Sequence, residues 1–243
     1  MTSSFRLGYV PGVTPAKWAR IWAERLPRTP IELIQVGTAD AVSLVHSADA
    51  DAALVRLPID RTGLHAIPLY VEQTVVVVPK DHVVTAVEEV TLEDLADELM
   101  LHPQDDVLEW EQPLPGRVID ERPATTADAI ALVAMGTGLL VVPMSLARLH
   151  HRKDLTFRPL TDAPVSQVAL TWPEDAESEL MEEFVGIVRG RTANSTRGSQ
   201  KAPEPKKTAA AAKKQAAPKK QQIRPNKVKG KPGQPTPKRK YKR

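Results

Sequence analysis

Residues 66–79 read AIPLYVEQTVVVVP, an extended apolar run that decides how the chain is organised. The run is too short to cross a membrane, because a transmembrane helix needs roughly 20 apolar residues. Its many β-branched residues favour a strand over a helix. A single strand of this length would exceed the usual 3–10 residues. We therefore expect a strand that is shared by two sheets and connects two lobes.

The residues before this run alternate between strand-like and helix-like patterns. Thr14 and Pro15 are typical of a helix start, as an N-cap followed by proline at the first helical position. Apolar side chains then recur on one helix face, at Trp18, Ile21, Trp22 and Leu26. The predicted order is strand 5–10, helix from Thr14, strand 31–36, helix 39–47 and strand 51–56. This alternation implies parallel strands joined by crossover helices.

A second α/β set is predicted after the run. Residues 125–138, TTADAIALVAMGTG, give the clearest helix, with threonines at its start and a glycine at its end. The other predicted elements are a short helix at 91–98, strands at 99–102, 117–122, 138–143, 155–160 and 166–172, and an amphipathic helix at 177–189. The sum is two small α/β lobes joined by extended segments.

Charge is divided unevenly along the 243 residues. Residues 1–191 carry 16 Lys and Arg against 29 Asp and Glu, a net charge of −13, whereas residues 192–243 carry 17 basic residues against Glu204 alone, a net charge of +16. There is no cysteine, which excludes a disulfide scaffold, a cysteine zinc site and a thiol redox sensor. No secretory signal and no membrane span are expected, so we predict a cytoplasmic protein.

The ordered motifs resemble the effector-binding domain of LysR-type transcriptional regulators. The resemblance covers roughly residues 4–190 and rests on the whole series rather than on any one piece. The segments that carry it are FRLGYVPG (5–12), IELIQVGTAD (31–40), ADAALVRLPIDRTGLHAIPLYVEQTVVVVPKDH (50–82), VTLEDLADELMLHP (90–103), TTADAIALVAMGTGLLVVP (125–143) and VALTW (168–172).

This resemblance implies a type 2 periplasmic-binding-protein fold, in which two lobes hinge around a cleft that holds a small ligand. Lobe I is expected at about 4–72 and 171–190, and lobe II at about 73–170, with crossovers near Gln73 and Trp172. A homodimer is expected by analogy with the family. Because the resemblance begins at about residue 4, no helix-turn-helix is expected within the chain.

Candidate ligand contacts lie where strands end and helices begin. These ends present unpaired backbone N–H groups that suit a carboxylate or a phosphate. The candidates are Thr14, Thr38, Arg56, His102, Thr125 and Thr126. The threonines could equally be helix caps, and His102 a surface or capping residue. Arg56 could hold a ligand carboxylate through two parallel hydrogen bonds, or it could pair with Asp60 or Glu72.

No signature of metal binding or catalysis is found in the sequence. His150 and His151 are adjacent and would point apart on a helix, and there is no HExxH pattern. Ser145 lacks the flanking glycines of a nucleophile elbow, and the GTG at 136–138 ends a helix instead of cradling a phosphate. We therefore expect neither a metal nor a cofactor, and we expect that the protein is not an enzyme.

Residues 192–243 form a basic segment rich in lysine, proline and alanine. Seven prolines and almost no large apolar residues predict disorder. Such a polycation can bind DNA or RNA phosphates without reading sequence, and the densest basic cluster is Lys238, Arg239, Lys240, Lys242 and Arg243. Alternatively, the segment contacts the acidic body or only adds solubility.

Two hypotheses from different classes remain. In the first, the body senses a small organic-acid-like metabolite and regulates transcription. In the second, the protein associates with nucleic acid through the basic segment, and the body serves as a platform for dimerisation or protein contacts.

Overall fold

A computed structural model describes residues 4–176 and 178–191. The ten strands of this part are β1 Phe5–Tyr9, β2 Ile31–Gln35, β3 Ala52–Leu57, β4 Leu64–Glu72, β5 Thr74–Pro79, β6 Leu99–Leu101, β7 Arg117–Val118, β8 Leu139–Pro143, β9 Leu155–Pro159 and β10 Ser166–Pro173. Its α-helices are α1 Ala16–Arg25, α2 Ala41–His46, α3 Thr126–Ala134, α4 Met144–Leu149 and α5 Glu179–Val188. Single 3₁₀ turns occur at Val83–Ala86 and Glu93–Leu95.

The strands form two mixed five-stranded sheets. The first has the order β2-β1-β3-β10-β4 and the second the order β7-β6-β8-β5-β9. In the first sheet β1, β2 and β3 are parallel, as the alternating pattern predicts, and β10 runs antiparallel to both β3 and β4. The two-lobed α/β architecture predicted from the sequence is therefore confirmed.

The apolar run at 66–79 passes from one sheet to the other, as predicted. It is two strands rather than one, because β4 ends at Glu72 and β5 begins at Thr74. Every residue of Thr74–Val78 is buried, since β5 lies between β8 and β9 and is covered on both faces. Gln73 alone separates the strands of the two sheets.

The second passage between the sheets lies at 160–165 and corrects the one expected near Trp172. Strand β10 already pairs with β4 from Ser166 onward, so all of Ser166–Pro173 belongs to the first sheet. The boundary near Trp172 was what the family resemblance implied, and it lies later in the chain than this passage because all of β10 pairs within the first sheet.

Each sheet has its own apolar core. In the first, Phe5, Trp22 and Phe184 bring strand β1 together with helices α1 and α5, and the Phe5 and Trp22 ring centroids are 4.7 Å apart. Pairs of aromatic rings in such contact add about 0.5–1.5 kcal/mol beyond their burial. The second sheet has a separate cluster on each face, one beneath α3 and α4 and one beneath the two 3₁₀ turns.

Several predicted elements are shorter than expected or differ in type. The helix expected at 91–98 is a single 3₁₀ turn, the strand expected at 117–122 is confined to β7, and Thr14 does not cap α1, which follows Pro15. Helix α4 was not predicted. Within the described part of the chain, no helix is long and apolar enough to traverse a lipid bilayer.

The basic segment lies outside the described residues, and so do Lys238, Arg239, Lys240, Lys242 and Arg243.

Candidate functional site

The carboxyl end of β1 in the first sheet and that of β8 in the second sheet are brought together where Gly12 approaches Ser145. In the first sheet, Tyr9 at the end of β1 is level with Gln35 of β2 and Leu54 of β3. In the second sheet, β6 and β8 are parallel and end in the segments that begin at His102 and at Met144. Ligands of open α/β sheets bind at such carboxyl ends, so the loops that leave them and the helices that follow are the candidate walls of a cleft.

Gly12 lies where the loop after β1 meets helix α4. Its φ is +83°, a left-handed conformation that glycine adopts without strain. A Cβ atom there would come within 2.5 Å of Ser145 Oγ, on α4, and 3.0 Å of Arg56 Nη2. The loop after β1 can therefore approach the second sheet this closely only because residue 12 has no side chain.

A buried arginine occupies this contact. The Arg56 guanidinium donates through Nη1 to Glu72 Oε2 at 2.6 Å and to Ser166 Oγ at 2.7 Å. It donates through Nη2 to the Pro11 carbonyl at 3.1 Å and to Ser145 Oγ at 3.0 Å. Ser145 in turn donates to Glu72 Oε2 at 2.8 Å. We call these five residues, Pro11, Arg56, Glu72, Ser145 and Ser166, the Arg56 network.

This network contains the ion pair with Glu72 that the sequence offered as one of two interpretations of Arg56. The Arg56 and Glu72 side chains are 2% and 9% exposed, and they form the ion pair that was the alternative to a ligand contact. Of the five guanidinium N–H groups only Nε–H has no partner among the described residues. In this structure Arg56 therefore holds protein groups together and does not line the large cavity described next.

A cavity of about 970 Å³ opens beside the Arg56 network. Thr14 and Trp18 line it from the first sheet, Met144 and Ser145 from α4, and Glu72 and Gln73 from the strand passage. Tyr70 also lines it, and burial together with the neighbouring Glu72 raises the pKa of its phenol, so that the hydroxyl stays protonated and can donate a hydrogen bond near neutral pH. Thr14 is the one predicted ligand residue in this lining.

The predicted residues of the second sheet lie together on two neighbouring loops. Thr126 is buried and donates to Asp105 at 2.9 Å, while Thr125 caps α3 by accepting the Asp128 N–H at 3.1 Å. Arg122 donates to the carbonyl of His102 at 3.0 Å, which ties the loop before α3 to the loop after β6. The His102 ring lies 3.4 Å from Asp106. Both threonines thus have structural partners, and Thr125 is the helix cap that the sequence allowed.

Thr38 lies in the turn between β2 and α2 and is half-buried. It does not cap α2, because the residue before that helix is Asp40. The loops of Thr14 and Thr38 leave the same edge of the first sheet, since β1 and β2 are parallel and in register. Thr38, His102, Thr125 and Thr126 are absent from the lining of the 970 Å³ cavity.

Sequence reasoning missed Ser145 and the unpredicted α4 that carries it. Ser145 was considered only as a nucleophile and set aside, whereas the structure uses its hydroxyl to join Arg56 to Glu72. Across residues 4–176 and 178–191, no group of three or more His, Asp or Glu residues is arranged to hold a metal ion.

The fold and the cleft agree with what comparison with known proteins finds. Residues 3–193 match the family model described as the LysR substrate binding domain. The chain belongs to this family. LysR substrate binding domains are not enzymes.

Curated relatives of this LysR domain are transcriptional regulators. The chain is 27% identical over 156 residues to a "Probable hydrogen peroxide-inducible genes activator" of Mycobacterium avium, covering 60% of this chain and 50% of that protein. It is 24% identical over 184 residues to the HTH-type transcriptional regulator AlsR of Bacillus subtilis, covering 69% of this chain and 59% of AlsR. The chain therefore spans about half the length of the curated relatives it matches.

Solved structures of LysR proteins share the fold. The effector binding domain of BenM with its effector benzoate superposes with a TM-score of 0.64 at 21% identity, covering 77% of this chain and 90% of that one. The oxidized form of OxyR superposes with a TM-score of 0.64 at 20% identity, covering 79% of this chain and 96% of that one.

The Arg56 network yields a stability prediction with a matched control. Arg56→Met leaves Glu72 buried with Ser145 as its remaining donor, and we expect the free energy of unfolding to fall by about 3–5 kcal/mol. Arg152→Met breaks an exposed ion pair with Asp154 and should leave that free energy nearly unchanged. Urea denaturation measures both. Equal effects of the two substitutions would contradict the importance of the network.

Proposed function

We propose that the cleft between the facing strand ends binds a small organic anion, and that this binding regulates transcription. The single observation that carries the proposal is the convergence of strand ends from both sheets at Gly12 and Ser145. Such ends expose backbone N–H groups and bring helix N-termini toward the ligand, an arrangement that favours negative charge. Membership of the LysR family supports the same role.

In this proposal Thr14, Thr38, His102, Thr125 and Thr126 contact the ligand, while Arg56 holds the walls in place. A carboxylate in the cleft would be recognised by N–H and hydroxyl donors, because the guanidinium is already taken by Glu72 and three other acceptors. Arg122 brings a second guanidinium beside the His102 loop. Benzoate, the effector of BenM, is one anion of a suitable kind.

The description of the M. avium relative raises the question whether this chain responds to peroxide. A response through thiol oxidation requires a cysteine, and these 243 residues contain none. Reversible binding of a metabolite is therefore the better candidate for the signal. We also propose that the protein works in the cytoplasm, because its curated relatives are transcriptional regulators.

Ligand binding should appear as thermal stabilisation of the full chain. A small organic acid present at 100 times its dissociation constant adds about 2.7 kcal/mol, which raises Tm by roughly 5–10 °C for a protein of this size. Screening a library of organic acids, benzoate included, by thermal shift tests this. Thr38→Val should abolish the shift, whereas Thr137→Val, before β8 at the opposite edge of its sheet, should preserve it. Equal loss in both variants, or no shift with any acid, would overturn the proposal.

A second candidate function belongs to the basic segment, residues 192–243. Its 17 basic residues against one acid favour binding of nucleic-acid phosphates without sequence preference. DNA or RNA is thus a possible partner that the body need not contact.

Salt dependence tests the second candidate. The affinity for a duplex of random sequence, measured by fluorescence anisotropy, should fall steeply with salt and disappear when 192–243 are deleted. Replacing Lys238, Arg239, Lys240, Lys242 and Arg243 by glutamine should lower the salt slope by up to about 4.5, at roughly 0.9 per phosphate. Removing Lys17, Lys80 and Lys153 from the body should leave the slope unchanged. Binding that survives the deletion would exclude the segment as its origin.

We also propose that the chain forms a homodimer, as its family suggests. Apolar side chains that are exposed on one face support this, since Leu33, Tyr70, Val71 and Leu149 all line the 970 Å³ concavity and are 38–54% exposed. Exposed apolar patches of this kind mark contact surfaces.

Sedimentation velocity tests the dimer at micromolar concentration. Leu33→Glu and Leu149→Glu should yield monomers because they place charge in the proposed interface. Val83→Glu, at a 75% exposed valine outside this concavity, should not change the sedimentation coefficient. A monomeric parent protein, or dimers in all three variants, would contradict the proposed interface.

A further inference from the structure

A second, smaller cavity lies within the second sheet's half of the fold and shares no lining residue with the 970 Å³ cavity. Its volume is about 150 Å³. Helix α3 contributes Ile130, α4 contributes Ala147, β5 contributes Val77, and β9 contributes Leu155 and Phe157. We call it the β9 pocket.

The interior of the β9 pocket is apolar and well fixed. Val77, Ile130, Ala147 and Leu155 are each at most 5% exposed, and they belong to the core beneath α3 and α4. An apolar cavity of roughly this volume holds one benzene ring. Its volume therefore suits a single six-membered ring or an aliphatic group of similar size.

The mouth of the β9 pocket carries two cations. Lys80 and Arg152 line it, together with the rings of His150 and His151 and the hydroxyl of Thr156. This concentration stands out in a body whose residues 1–191 have a net charge of −13. A pocket with an apolar interior and a cationic mouth matches a ligand with a ring at one end and a carboxylate at the other.

The acids around the mouth leave cationic groups for a ligand. Arg152 donates to Asp154 through Nε and through Nη2, each at 3.1 Å, but that pair is exposed and can exchange partners at little cost. Lys80 has no acidic partner within 4.0 Å among the described residues, although its charge contributes to the lowered pKa of Asp154 after the Arg152 hydrogen bond. Asp81, next to Lys80, is exposed and outside the lining.

We propose that the β9 pocket binds a small aromatic carboxylate, with the ring between Ile130, Ala147 and Phe157 and the carboxylate at Lys80 and Arg152. This site is separate from the cleft and does not rest on the proposed effector function. Loss of binding in one site leaves the other testable.

Crystals of the full chain grown with 4-bromobenzoate locate the ligand directly, because anomalous scattering from bromine marks its position. The expected peak lies between Ile130 and Phe157. Titration calorimetry measures the affinity in solution, and 4-bromobenzamide, which keeps the ring but lacks the charge, should bind at least fivefold more weakly.

Matched lysine variants test the mouth. Lys80→Gln should weaken binding of 4-bromobenzoate roughly three- to tenfold, as expected for one partly exposed charged hydrogen bond. Lys153→Gln removes the same charge from a residue that does not line the pocket and should change the affinity less than twofold. Both residues are exposed, so both variants should fold.

Three outcomes would overturn the proposal. One is a bromine peak found only between the facing strand ends, which would assign binding to the cleft. Another is a failure of the charge tests, seen either as equal affinity for the acid and the amide or as equal effects of the two lysine variants. The third is a peak in the β9 pocket without saturable binding in solution, which would mean binding at crystal concentration only.

Discussion

The ion pair between Arg56 and Glu72 is the constraint on which the arrangement of the two sheets depends. Both passages of the chain between the sheets adjoin this network, because Glu72 directly precedes Gln73 and Ser166 directly follows residues 160–165. Ser145 brings in the second sheet through α4. A buried pair of this kind is strongly destabilising to break, although an apolar replacement of both partners costs little. Its contribution is therefore to geometry, since its hydrogen bonds fix where α4 meets the loop after β1.

This constraint also limits how the cleft can recognise a ligand. An arginine at a strand end is the obvious partner for a carboxylate, but Arg56 is committed to protein acceptors on all sides except at Nε. Glu72, which lines the large cavity, would repel an anion if it were not paired with this arginine. The network thus makes the cleft tolerant of negative charge, and in our proposal direct recognition falls to backbone N–H groups, hydroxyls and Arg122.

The sequence predicted those features that depend on neighbouring residues. The strand–helix alternation before residue 57, the change of sheet around Gln73 and the Thr125 cap of α3 each follow from local pattern. Features set by distant pairing were missed. Strand 117–122 was expected to be longer because nothing local reports that β6 offers only Leu99 and Met100 as partners. The role of Ser145 depends on Glu72 and Arg56, which lie 73 and 89 positions before it in the sequence, and no local pattern reveals such distant partners.

Helix α4 connects the Arg56 network with the β9 pocket. It has six residues and is about 9 Å long, with Ser145 of the Arg56 network near one end and Ala147 of the β9 pocket near its middle. A ligand changes a conformational equilibrium only if it binds one state better than the other. An occupant of the cleft meets this condition by touching both walls. An occupant of the β9 pocket contacts only the second half of the fold. It can influence the cleft by shifting α4 and thereby the hydrogen bonds of Ser145, or by shifting α3, which begins at Thr126.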